Sequence, residues 1–124
     1  LANLVAPEMA QRRDGVIIIV SSIGGIKGTA TLGAYAISKA ADMQLARNLA
    51  VEFGPDNVRV NTIAPGAVFN GHSEEFQRRV GELIMLDRMA KPDEIADAML
   101  FLASAQAGYM TGQMVNVDGG FSGW

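Results

Sequence analysis

Residues 16–39 read VIIIVSSIGGIKGTATLGAYAISK and join an apolar run to an alanine-rich segment. The run opens with five consecutive β-branched residues at 16–20, which is typical of a strand buried on both faces of a parallel sheet. Ser22 lies just past the strand, at the carboxyl end, where open α/β sheets place their ligands. The alanine-rich segment that follows predicts a long helix over residues 34–53. A strand, a glycine-rich loop and a helix in this order indicate an α/β protein.

Three side chains in this stretch can carry acid–base chemistry. Tyr35 and Lys39 are four residues apart, so a helix places them on one face. A cation beside a phenol favours the phenolate form. The hydroxyl of Ser22 can hold a carbonyl or alcohol oxygen while Tyr35 gives or takes its proton. Together these groups predict a site that interconverts a carbonyl and an alcohol, with the hydride supplied by another molecule.

Three further segments follow in order: VNTIAPG at residues 60–66, YMTG at residues 109–112 and VDGG at residues 117–120. With Ser22 and the Tyr-x-x-x-Lys at 35–39, the chain resembles the short-chain dehydrogenase/reductase family. The Tyr-x-x-x-Lys pair alone occurs by chance in many helices, whereas the full set in this order is specific. The resemblance implies an α/β fold in which residues 1–124 are a single partial domain. That domain is the C-terminal half of a doubly wound, parallel-sheet, Rossmann-type fold.

The resemblance also implies the activity, an NAD(P)-dependent dehydrogenase or reductase, and its residues. Ser22, Tyr35 and Lys39 would be catalytic: Ser22 fixes the substrate oxygen and Tyr35 serves as acid or base. Tyr35 and Lys39 would also contact the cofactor, with Lys39 holding the nicotinamide ribose. NAD or NADP would in addition meet Pro65, Gly66, Val68 and Asn70. The backbone of Val68 would bond the carboxamide, while Asn70 stands where the family usually has threonine.

Parts of the family pattern are absent from these residues. No glycine-rich dinucleotide fingerprint opens a helix, and the family's Asn-Asn-Ala-Gly strand end is missing, as is its catalytic asparagine. We therefore expect this chain to be half of an enzyme. Two function classes stay open: an oxidoreductase for a secondary alcohol or ketone, and a truncated, non-catalytic module for oligomerisation or regulation. The intact trio of Ser22, Tyr35 and Lys39 favours the enzyme. The substrate is a small carbonyl or alcohol compound; steroid, acyl-thioester, polyol and surface-sugar substrates all stay open.

Composition narrows the class of protein. The chain has 124 residues, 49% of them hydrophobic and 19% charged, and a net charge of −3, which predicts one soluble globular unit. Without a basic patch, no nucleic-acid partner is predicted. The absence of cysteine excludes disulfides and thiolate metal sites, and a single histidine gives no metal centre. No membrane span and no leader sequence are recognisable, so a cytoplasmic protein is expected.

The remaining predicted elements are a helix in residues 1–13, a strand at 58–64, a helix from Ser73 to about Met85, a helix at 92–104 and a strand at 113–117. The three strands are expected to be parallel, with residues 16–20 bordering unpaired space. Residues 67–90 form the expected substrate loop, in which His72 is more typical of an ordinary loop histidine than of a catalytic group. Asn61, inside the second strand, is expected to bridge neighbouring loops.

Surface features give further expectations. Helix 34–53 is apolar most of the way round, which predicts burial on all sides and a homodimer or homotetramer. The glycines after Ser22 are expected to let a substrate approach the backbone. Lys27 is expected to be solvated only. Phe121 and Trp124 are expected to dock against the chain or a neighbour. Phe69, Met85 and Met89 are expected either to line the substrate pocket or to pack the substrate loop, residues 67–90, against the rest of the chain.

Overall fold

The computed structural model describes residues 1–123, and its centre is a parallel sheet of three strands. The strands, which lie side by side in chain order, are β1 (Gly15–Val20), β2 (Val58–Pro65) and β3 (Met114–Val117). The helices are α1 (Ala2–Gln11), α2 (Gly33–Phe53), α3 (Glu74–Gly81) and α4 (Pro92–Ala103). The predicted α/β class and the three parallel strands are confirmed, and α2 and α4 are the predicted crossover helices.

The two faces of β2 pack against different helices, because successive side chains of a strand point to opposite faces. Val58 and Val60 are buried in a cluster with residues of α1 and α2. Arg59, between them, donates from its guanidinium to the carbonyl oxygens of Leu102 at 2.9 Å and Ser104 at 3.1 Å, at the end of α4. A cation at the carbonyl end of a helix is favourable for the helix dipole. Helices therefore cover β2 from both sides.

Strand β1 is an edge of the sheet among the described residues, because it pairs with β2 alone. Its residues 16–19 are only half-buried and Val20 is 46% exposed. The prediction that residues 16–20 are buried on both faces is wrong, since β2 takes the central position. The prediction that this strand borders unpaired space is confirmed.

Asn61 joins the centre of the sheet to the loop before β3, as predicted. Its side chain is fully buried; Nδ2 donates to the carbonyl oxygen of Met110 at 2.8 Å, and Oδ1 accepts from the amide of Gln113 at 3.0 Å. Thr111 Oγ1 accepts from the amide of Val60 at 3.0 Å. These bonds satisfy a buried amide and give the YMTG segment a structural role.

Helix α3 is shorter than predicted. It begins after Ser73, whose Oγ accepts from a first-turn amide as expected, but it ends at Gly81, a full turn before Met85. The chain folds back at Gly81, where a β-carbon would lie 3.0 Å from the carbonyl oxygen of Asp87. Beyond this turn Met85 packs on Gly120.

The outward side of α2 is uncovered among the described residues. The inward side buries Met43, Ala46, Leu49 and Ala50 against the sheet. On the opposite side Ile37 is 72% exposed and Val51 is 79% exposed, and Leu45 is also exposed. The predicted burial on all sides depends on a subunit interface, so within this single chain it stays a prediction. A contiguous exposed apolar helix face is typical of an interaction surface.

Candidate active site

Ser22 and Tyr35 lie close together at the carboxyl end of β1. Ser22 begins a short 3₁₀ turn and accepts a hydrogen bond from the amide of Gly24 at 3.0 Å. Tyr35 lies in the first turn of α2. A β-carbon at Gly24 would lie 3.3 Å from Tyr35 Cε1 and 3.4 Å from Ser22 Oγ. The phenol ring and the hydroxyl therefore border the same small space, which a glycine at position 24 leaves open.

Lys39 lies one turn further along α2, with Nζ 5.9 Å from the centroid of the Tyr35 ring. This ammonium donates to the carbonyl oxygen of Val20 at 3.1 Å and forms an ion pair with Asp42 at 3.1 Å. The Tyr35 residue is 47% exposed, and its hydroxyl enters no hydrogen bond among residues 1–123. The structure thus brings the three predicted catalytic residues together and leaves the phenol accessible.

Two contacts that the sequence reading missed fix α2 against the end of β1. Ser21 is buried, and its Oγ donates to the carbonyl oxygen of Lys39 at 2.7 Å. Gly25 packs on the helix backbone, since a β-carbon there would lie 2.6 Å from the amide nitrogen of Ala40. The expectation that Gly25 serves substrate approach is therefore wrong, because the space beside it is filled by α2. The doubled Ser-Ser and Gly-Gly of residues 21–25 are the signal that could have indicated both contacts.

In the segment after β2, the backbone N–H and C=O of Val68 have no hydrogen-bond partner among residues 1–123. Val68 forms a parallel bridge with Ala90, in which the amide of Ala90 donates to the Ala67 carbonyl at 2.9 Å and the amide of Phe69 donates to the Ala90 carbonyl at 2.8 Å. In this parallel pattern the hydrogen bonds to Ala90 are made by Ala67 and Phe69. The N–H and C=O of Val68 itself point away from Ala90. Within residues 1–123 neither group is hydrogen-bonded. The Val68 backbone is thus available to a ligand.

The other predicted cofactor residues flank Val68. Pro65 is the last residue of β2. Gly66 lies against the next strand's exit, where a β-carbon would be 2.8 Å from Cα of Asp118. Asn70 is exposed, and its amide donates to Nδ1 of His72 at 3.2 Å. These residues form one segment that leads from the sheet to α3.

An open cavity of about 370 Å³ separates the loop after β1 from the segment after β2, and its wall includes Ser22 and Gly66. Phe121 closes one side. Lys27 Nζ donates to the carbonyl oxygen of Phe121 at 3.0 Å and lies 5.7 Å from its ring centroid. The prediction that Lys27 is only solvated is therefore wrong. The predicted docking of Phe121 is confirmed, and Trp124 lies outside the described residues.

Asp118 shapes the turn that carries Phe121. Its carboxylate accepts hydrogen bonds from the amide of Gly120 at 3.0 Å and from the amide of Ser122 at 2.8 Å, and from the Ser122 hydroxyl. Burial acts to raise the pKa of Asp118, but these hydrogen bonds together outweigh it and hold the pKa below its usual value. The ionised carboxylate keeps the wall of the cavity in place.

Residues 1–123 contain neither a membrane-spanning helix nor a metal-binding cluster. No helix there is long and apolar enough to cross a membrane. No group of three or more His, Cys, Asp or Glu residues in the same range is placed to hold a metal ion.

Known proteins match the chain over nearly its whole length. A family model described as enoyl-(acyl carrier protein) reductase matches residues 1–122. The 3-oxoacyl-[acyl-carrier-protein] reductase of Thermotoga maritima is 38% identical over 124 residues, which are 97% of this chain and 50% of that protein. A 7α-hydroxysteroid dehydrogenase, solved with NADH and 7-oxo glycochenodeoxycholic acid, is 37% identical with a TM-score of 0.89; the match covers 96% of this chain and 49% of the other.

A third comparison names the family directly. An oxidoreductase of the short-chain dehydrogenase/reductase family from Burkholderia thailandensis is 36% identical, with a TM-score of 0.92 over 99% of this chain and 50% of the other. The chain spans about half the length of the curated relatives that it matches. The Rossmann-type fold class is confirmed by these structures. The chain belongs to the short-chain dehydrogenase/reductase family.

Proposed function

We propose that the protein containing this chain is an NAD(P)-dependent oxidoreductase that interconverts a secondary alcohol and a ketone. The observation that carries the proposal is the convergence of Ser22, Tyr35 and Lys39 at the end of β1. Relatives named as a 3-oxoacyl reductase and a 7α-hydroxysteroid dehydrogenase support it, because both names describe carbonyl–alcohol chemistry. The substrate is a small carbonyl or alcohol compound.

Ser22 and Tyr35 have different roles at the substrate oxygen: Ser22 donates a hydrogen bond, and Tyr35 transfers a proton. Because Ser22 Oγ already accepts from the amide of Gly24, its own proton is available for a hydrogen bond to that oxygen. The Tyr35 hydroxyl donates a proton to the oxygen during reduction and its phenolate accepts one during oxidation. The ammonium of Lys39, 5.9 Å from the ring centroid, stabilises the phenolate. Bound NAD(P) accepts or supplies the hydride.

The residues after β2 fit a nicotinamide cofactor, NAD or NADP. The free N–H and C=O of Val68 match the acceptor and donor of a carboxamide. Lys39 uses two of its three donors on the Val20 carbonyl and Asp42, so the third is available for a ribose hydroxyl. Pro65 and Gly66 lead the backbone to this place, and Asn70 can donate and accept as a threonine does.

The proposal also includes the substrate loop, the domain boundaries, the oligomeric state and the cellular location. Residues 67–90, with α3, are the substrate loop. Residues 1–124 are a partial domain. The unpaired outer edge of β1, which has no neighbouring strand among the described residues, supports this proposal. The exposed apolar side of α2 supports a homodimer or homotetramer. A cytoplasmic location stays a prediction, which fractionation of the source cells tests.

Removal of one phenol oxygen tests the function in the full-length protein. We expect Tyr35→Phe to lower kcat by about 10²–10⁴-fold, the usual range for loss of general acid–base catalysis. Tyr109→Phe is the matched control, because Tyr109 is fully exposed and should keep wild-type turnover. Turnover is measured from the absorbance of reduced nicotinamide with a panel of ketones and secondary alcohols. Wild-type turnover in Tyr35→Phe contradicts the assignment, and a wild type inactive on every compound supports the non-catalytic alternative.

A further inference from the structure

We propose that His72 is a positioning residue that fastens the cofactor segment, residues 65–70, to helix α3. The inference rests on the proposed function, which places NAD(P) along that segment. His72 contacts the segment through Asn70 and Phe69, and it contacts α3 through Phe76. These contacts on both sides give His72 a more specific place than the ordinary loop histidine expected from the sequence.

The first contact holds the backbone of the segment. The amide of Asn70 donates to His72 Nδ1 at 3.2 Å, so Nδ1 is the acceptor in this contact. Gly71, between the two residues, has φ +72, a backbone conformation that glycine adopts without strain. The chain can therefore turn back tightly enough for a side chain to bind the amide two residues before it.

The second set of contacts holds the substrate loop. The His72 ring stacks on Phe76 of α3, with centroids 4.7 Å apart and planes at 16°. It forms an edge-type contact with the Phe69 ring, with centroids 6.3 Å apart and planes at 61°. The carbonyl oxygen of His72 accepts from Gln77 Nε2 at 2.9 Å. His72 is thus joined to α3 by its ring and its backbone, and to the segment by its ring and Nδ1.

These contacts bear on Val68, whose free backbone groups are proposed to bind the carboxamide. Phe69 and Asn70 are the two residues that follow Val68, and His72 contacts both. Without His72 the end of the segment gains conformational freedom, which cofactor binding must then remove. Loss of His72 should therefore weaken cofactor binding and leave the chemical step at Tyr35 nearly unchanged.

Two substitutions in the full-length protein separate the contacts. His72→Phe keeps an aromatic ring and removes the acceptor, while His72→Asn keeps a polar acceptor and removes the ring. We expect each to raise the KM for the cofactor by about 3–10-fold, the size expected for one lost hydrogen bond or ring contact. His72→Ala should raise the KM further. Glu75→Gln, exposed in the first turn of α3, is the control and should behave as wild type.

The readout is the split between KM and kcat together with the cofactor Kd from calorimetry. A purely structural role would reduce the active fraction, and hence kcat, with KM unchanged, and that result overturns the inference. Equal cofactor Kd in wild type and His72→Ala also overturns it. If the wild type binds neither NAD nor NADP, the proposed function itself fails. A raised Kd in His72→Ala with kcat within about twofold of wild type supports the positioning role.

Discussion

At the residue scale, the ammonium of Lys39 is proposed to stabilise the Tyr35 phenolate and to bind the cofactor ribose. It is bound to the carbonyl oxygen of Val20 and to Asp42, and it lies near the Tyr35 ring. In the full-length protein we expect Lys39→Ala to lower kcat and to raise the KM for the cofactor together, because the phenolate and the ribose both lose a partner. Steady-state kinetics measure both quantities.

A structural lysine would give a different result. If Lys39→Ala changes only the thermal unfolding temperature, with kcat and KM as in the wild type, the catalytic and cofactor roles are both refuted. Lys39→Arg keeps the charge but changes the geometry of the donors, so a partial recovery of kcat indicates that charge near the phenol matters most.

Glu94 is the residue whose titration should be visible in folding stability. Its carboxylate accepts two hydrogen bonds from Arg88, both of 2.7 Å, and one from the amide of Lys91 at 2.8 Å, at the start of α4. The Arg88 hydrogen bond first, and then the Lys91 amide, lower the pKa of Glu94 from 4.5 to about 2. The same pair raises the pKa of Arg88, through the hydrogen bond to Glu94.

A lowered carboxyl pKa contributes stability that is present above the unfolded-state value and is lost as the pH falls towards the folded-state value. We therefore expect the full-length protein to lose stability between pH 4.5 and about 2, and Glu94→Gln to lose less over this window. Chemical unfolding at a series of pH values measures the slope. Glu75→Gln serves as the control with the wild-type slope, and equal slopes for Glu94→Gln and wild type contradict the prediction.

At the element scale, the contact between Gly25 and α2 sets how closely the helix approaches the end of β1. A β-carbon at Gly25 would lie 2.6 Å from backbone atoms of Lys39 and Ala40, so the helix must move to accept it. We expect Gly25→Ala to lower the free energy of unfolding by about 1–3 kcal/mol, as overpacking does. Turnover should fall as well, because α2 carries Tyr35 and Lys39.

Gly28 offers a matched control in the same loop. No atom lies within 4 Å of the place that a β-carbon would take there. Gly28→Ala should therefore change the free energy of unfolding by less than about 1 kcal/mol, since only the unfolded chain is affected. Urea unfolding of the two variants gives the comparison, and equal effects at Gly25 and Gly28 contradict the close packing of α2.

At the scale of the whole molecule, the exposed apolar side of α2 predicts self-association. If two such faces pack together, a carboxylate introduced among the small residues is buried without an opposite charge. This burial costs free energy and opposes association. We expect Ala40→Glu and Ala41→Glu to dissociate the full-length oligomer, as measured by light scattering. Ala40→Ser, which adds a small polar group and no charge, should keep the assembly. A monomeric wild type refutes the prediction.

The sequence by itself determined the elements whose signal is local. The β-branched run at 16–20, the alanine-rich helix after it and the capping serine before α3 were all predictable, because each depends on residues adjacent in the chain. The spacing of Tyr35 and Lys39 was likewise enough to place them on one helix face, whereas the approach of Ser22 depends on the packing of α2 against the end of β1. Their catalytic roles stay predictions.

Only the tertiary structure decided which residues meet across long stretches of chain. Lys27 binds Phe121, 94 residues away, and the apparently solvated lysine becomes part of the cavity wall. Helix α3 ends at Gly81 because the returning chain packs there, against the helical preference of the residues that follow. Val68 gains its free backbone groups from a bridge to Ala90. Such contacts depend on the packing of distant segments, which no local spacing in the sequence encodes.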